Sequence, residues 1–139
     1  MKLTEQEENF IETYIVLTLS RAVLERDLKL VDKSPFKIKE AYEHLLHLSL
    51  QEISKQLYQV RMHLEQQQIT IQSSTRDKTF SEYTVVVRNY VVTIKYVNVQ
   101  LRQRVRFYLE KLFTGSISAD FLASEKQLAH YREKPTPNA

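Results

Sequence analysis

Apolar residues recur at helical spacing from the start of the chain. Phe10, Tyr14, Leu17, Leu24 and Leu28 form one stripe, interrupted only by Arg21. Ahead of it, Thr4-Glu5-Gln6-Glu7 is a capping box, and Glu5, Glu7 and Glu8 suit the positive end of a helix dipole. The pattern predicts a first helix ending near Leu30. Ser34-Pro35 predicts a restart, with Ser as N-cap and Pro in the first turn. Tyr42, Leu46, Leu50, Ile53, Leu57, Val60 and Leu64 then step by four and three, predicting a second helix to about Gln67. Residues 69–79 are polar and lack helical period. They read as a loop, or as a short strand over 68–72 leading into a turn.

The stretch Tyr83–Phe113 contains neither glycine nor proline. Its first half is rich in Val, Tyr, Ile and Thr, which favour strands, and its second half in helix formers. Tyr83, Val87, Tyr90, Ile94, Val97, Leu101, Val105, Tyr108 and Leu112 alternate steps of four and three throughout. That stripe predicts one long helix over 81–113. The alternative is a hairpin turning at Arg88-Asn89, which lacks the glycine that such turns prefer. As a helix, the segment carries a second apolar line, Val85, Val92 and Val99, bordered by Arg88, Lys95, Arg102 and Arg106. Tyr96 and Phe107, with the 85/92/99 line, are expected to be exposed in an isolated monomer. Thr114-Gly115 reads as a helix stop and Ser118 as the cap of a last, short helix.

The predicted fold is therefore all-α, an irregular up-down bundle of three long helices plus a short C-terminal one. The alternative is an α+β fold with a small antiparallel hairpin within 68–97. One domain, 1–133, is expected, with a frayed tail at 134–139.

Composition sharpens this reading. The chain has 139 residues, 42% hydrophobic and 27% charged, a globular balance. A single glycine weighs against a β-rich fold, phosphate-cradling loops and a nucleophile elbow, and zero cysteines exclude disulfides and thiolate chemistry. Neither a membrane span nor a signal peptide is visible, so a cytoplasmic location and no membrane partner are expected. Charge is unevenly spread. Residues 1–33 hold five Lys/Arg against seven Asp/Glu, whereas 81–113 hold six against two. The asymmetry suits an acidic first helix beside a basic third one, or an acidic partner.

Chemistry is sparse. Glu40, Glu43, His44 and His47 share a helix face, but it lies opposite the apolar seam and no second cluster answers it. No metal, cofactor or catalytic residue is expected, and no serine sits in a nucleophile motif. The reading that remains is a non-enzymatic binding or regulatory module acting through protein contacts, with a partner protein or as a homodimer. Val85, Val92, Val99 and Tyr96 would be buried in the contact, and Arg88, Lys95, Arg102 and Arg106 would orient it. The alternative is a nucleic-acid-associated regulator using those cations on phosphate. A weaker one is an enzyme or small-ligand carrier with its site inside the bundle.

Overall fold

The computed structural model describes residues 3–123, with side chains through residue 115. The element order is α1 (Glu5–Asp32), α2 (Lys39–Gln66), β1 (Ile69–Arg76), β2 (Phe80–Val87), β3 (Tyr90–Val97) and α3 (Asn98–Ala123). The fold is α+β: three helices with a three-stranded antiparallel meander in the order β1-β2-β3. The all-α prediction is thereby overturned, and the hairpin alternative is the better description.

α1 starts at the capping box. The Glu7 backbone N–H donates to Thr4 Oγ1 at 3.1 Å, and the Thr4 N–H donates to Glu7 Oε1 at 3.0 Å. Ser34 does not cap α2 as predicted. Its hydroxyl donates to the Val31 carbonyl at 2.7 Å, closing the end of α1. α2 begins later, behind Ile38, with no side-chain cap. α2 packs along its predicted seam, but the buried line of α1 is shifted. Ile11 and Ile15, which the predicted stripe leaves out, join Leu17 and Leu24 against Leu46, Ile53, Leu57, Val60 and Leu64, while Phe10, Tyr14 and Leu28 are only partly buried. Tyr42, the first residue of the α2 seam, lies outside the core and is exposed.

The segment predicted as one helix is β2, β3 and the first part of α3. Its stripe fooled the helical template for a geometric reason. A step of four keeps a residue on the same face of a strand. A step of three changes face, but Val87 to Tyr90 spans a two-residue turn that restores it. Tyr83, Val87, Tyr90 and Ile94 therefore all face inward. So do Val85 and Val92, which are cross-strand partners. With Ile69 and Ile71 of β1, Tyr83, Val85, Val87, Val92 and Ile94 join the helical core, whereas Tyr90, beside the turn, stays outside it and is exposed.

α3 follows β3 directly and buries Leu101, Val105 and Leu109. Tyr108 ties it to α2, donating its hydroxyl proton to Gln56 Oε1 at 2.8 Å. The helix stop predicted at Gly115 is not used, since α3 continues through it to Ala123. The remainder of the predicted last helix and the 134–139 tail lie outside the described residues. Among the described residues no helix is long and apolar enough to cross a membrane.

Candidate interaction surface

The β2–β3 turn fixes everything downstream of it. Arg88 and Asn89 have φ of 48° and 77°, positive at both central positions as a two-residue type I′ turn requires. Asn tolerates this region, and Arg seldom enters it. Arg88 is held there by its side chain. Its guanidinium donates to Glu7 Oε2 at 2.8 Å, to Glu7 Oε1 at 3.3 Å and to the Gln67 carbonyl at 2.9 Å. One cation thus joins the first turn of α1, the end of α2 and the tip of the hairpin. The Arg88 hydrogen bond, helped by the Thr4 N–H, holds the Glu7 carboxyl below its ordinary range despite burial.

A second junction lies at the opposite end of the sheet. Asn98 is buried, accepts from the Ser81 hydroxyl at 2.5 Å and donates to the Asp77 carbonyl at 2.8 Å. Asp77 Oδ1 in turn accepts the backbone N–H groups of Thr79 and Phe80 at 2.8 and 2.7 Å. Those two donors keep its carboxyl below the usual range. Between the two junctions, β2 and β3 pair in unbroken register from Phe80↔Val97 to Val87↔Tyr90.

The predicted contact residues are scattered by this arrangement. Val85 is 0% exposed at the centre of the sheet, and Val92 and Tyr96 are half-buried against the core. None of the three is the free surface that the sequence suggested. Tyr96 stacks edge-on against Tyr83, ring centroids 5.9 Å apart. Burial, with Glu12 nearby, pushes its hydroxyl up to about 12. Arg88 is committed to Glu7, and Arg106 reaches Glu110 at 3.1 Å. Of the original set, Lys95, Val99, Arg102 and Arg106 are exposed, and so is Phe107. Lys95 lies over the Phe80 ring at 4.4 Å.

Sequence reasoning missed two exposed residues, Tyr90 at 56% and Val91 at 67%. They open β3, which pairs with β2 on one side only. For Val91 the signal was available: after Arg88-Asn89, inward positions 90, 92, 94 and 96 alternate with outward 91, 93, 95 and 97. Tyr90 is on the inward side and is exposed because it sits beside the turn, outside the core. Across the sheet, the other edge is different. β1 is polar past Ile71 and its register shifts between Ile71 and Ser73, a bulge of the kind that blunts an edge.

The concavities offer little to chemistry. A groove of about 260 Å³ between α1 and β1 is lined by Tyr14, Thr18, Ile71, Tyr83 and their neighbours, with no Asp, Glu, His, Lys or Arg among them. His44 and His47 face solvent, and the described residues hold no cluster of three metal-ligating groups.

A helical hairpin and a helix enclosing one face of a three-stranded meander, with an open β3 edge, define an α+β domain whose best-formed exterior feature is a strand edge. Comparison with known proteins assigns the family. Residues 2–117 match the family model described as YhjD protein, and the chain belongs to that family. It is 32% identical over 103 residues to "Uncharacterized protein YhjD" of Bacillus subtilis (strain 168), an alignment spanning 74% of this chain and 86% of that protein. No solved structure matches.

Proposed function

We propose that the protein is a non-enzymatic interaction module of the cytoplasm that self-associates along the free edge of β3. The observation that carries this is the contrast between the two sheet edges. β1 is bulged and polar, whereas β3 pairs in unbroken register, is eight residues long and carries Tyr, Val, Val, Thr, Ile, Lys, Tyr and Val. An unblunted apolar edge is a template for another strand.

A second copy suits it because antiparallel pairing about a two-fold axis is self-complementary. Centred on Thr93, such pairing sets Tyr90 opposite Tyr96 and Val92 opposite Ile94. The only charge on the strand, Lys95, then faces Val91 rather than its own copy. Two meanders would become one six-stranded sheet. Phosphate binding by the same region is less well supported, since two of its four cations, Arg88 and Arg106, are paired with carboxylates, which leaves Lys95 and Arg102 to meet phosphate.

Sedimentation equilibrium tests the reading. The wild-type chain is expected to dimerise, and the Val91→Lys/Thr93→Lys variant to dissociate at least about tenfold more readily, since like charges meet across the new strand pair. A wild-type chain that stays monomeric at high concentration, or a variant that dimerises equally well, would overturn it.

A further inference from the structure

No residue between Leu24 and Leu46 is buried. Leu28 and Val31 still pack half-buried against the core, but residues 32–42 contribute nothing to it, and the composition of this end of the hairpin is unusual for a solvated tip. Leu30, Phe36 and Ile38 are 55%, 49% and 64% exposed, and Tyr42 lies beside Phe36 with ring centroids 5.1 Å apart. Lys29, Lys33, Lys37 and Lys39 are interleaved with them, against Asp32 alone. None of the four lysines joins a salt bridge among the described residues. Lys39 donates to the Asp32 carbonyl at 3.0 Å, which draws the start of α2 onto the end of α1. Asp27 and Glu40 mark where the basic character ends on each helix.

We propose that this tip docks on an anionic membrane surface, with Leu30, Phe36 and Ile38 entering the headgroup boundary and the lysines meeting lipid phosphates. This departs from the expectation of no membrane partner, which rested on the lack of a spanning segment; lying on a bilayer is a separate physical matter. Charge complementarity selects the occupant. Lysine is depleted at the core of protein–protein contacts, yet at a lipid boundary its stem lies along apolar surface while its head reaches the phosphates. The tip is also independent of the β3 edge.

Cosedimentation of the full chain with vesicles separates the outcomes. Vesicles of phosphatidylcholine with phosphatidylglycerol are expected to carry the protein down at low salt, and phosphatidylcholine alone is not. Phe36→Ser/Ile38→Ser should weaken binding by about tenfold or more. Lys33→Gln/Lys37→Gln should weaken it by about 25-fold, near fivefold per lysine. Because all four side chains are exposed, both variants should keep the wild-type thermal midpoint, which separates lost binding from lost folding. Wild-type protein remaining in the supernatant with anionic vesicles, or both variants sedimenting as wild type does, would overturn the proposal. So would binding to polyglutamate, sensitive to the same substitutions, without any binding to vesicles; that result would assign the tip to an acidic polypeptide.

Discussion

At Arg88 the backbone sits in the left-handed region, which costs a side-chain-bearing residue about 1 kcal/mol or more. Three hydrogen bonds from its guanidinium offset that cost and make the residue a joint rather than a contact. Removing it has two separable consequences. Arg88→Ala keeps the strained φ and leaves the buried Glu7 carboxylate without its cation, and should destabilise by about 2 kcal/mol. Arg88→Gly loses the same ion pair but relieves the backbone, so its loss should be smaller by about 1 kcal/mol. Urea unfolding of the two variants side by side checks the difference. Equal losses would mean that the turn stores no strain. The sequence displayed Arg88 as one of four regularly spaced cations, which is why it read as a surface residue. Nothing in a linear spacing shows that position 7 and position 88 meet.

Elements were legible where one periodicity had no rival. The seam of α2, the capping box at Thr4–Glu7 and the inward line from Leu101 through Tyr108 all follow from spacing alone, whereas the α1 stripe falls beside the buried line, missing Ile11 and Ile15. The sheet did not, because a two-residue turn between two strands turns alternation into steps of four and three, the signature of a helix. Scarcity of glycine reinforced the error, since a single Gly in the chain argued against hairpins, whereas Asn89 and a tethered Arg88 supply the positive φ instead. The contact residues suffered with the element: Val85 and Val92 lined up at a helical seven only because they face each other across the hairpin. What sets the end of that hairpin is Asn98, which follows β3, begins α3, donates its amide to the Asp77 carbonyl in the β1–β2 turn and accepts from the Ser81 hydroxyl on β2. Asn98→Ala should leave the Ser81 hydroxyl and the Asp77 carbonyl without partners and cost about 2–3 kcal/mol. Hydrogen exchange should show the loss first in the amides of Thr79 and Phe80. Loss confined to α3 amides would mean that Asn98 only starts the helix.

Across the whole molecule, part of the charge asymmetry is matched internally. Two ion pairs, Glu7 with Arg88 and Glu12 with Arg104, join the acidic first segment to the basic 81–113 segment. The same contacts set how stability responds to pH. Glu7 and Asp77 have carboxyls held below their ordinary values in the folded state. Their contribution is complete above those ordinary values, 4.5 for Glu7 and 3.8 for Asp77, and is lost as pH falls through the lower folded ones. On the alkaline side the sign reverses. Burial pushes the hydroxyls of Tyr96 and Tyr108 up to about 12, aided by Glu12 and Glu52 respectively. That contribution is complete below 10.0, the ordinary value, and disappears as pH rises through the folded one. Stability from these groups should therefore be level between the two limbs and fall at each end. Each limb has its own control. Glu7→Gln should flatten the acid limb and leave the alkaline one alone, and Tyr96→Phe/Tyr108→Phe should do the opposite. Urea midpoints measured across the pH range test both. An acid limb unchanged in Glu7→Gln would mean that the junction at Arg88 carries none of the molecule's pH dependence, and that Asp77 at the far end of the sheet carries it instead.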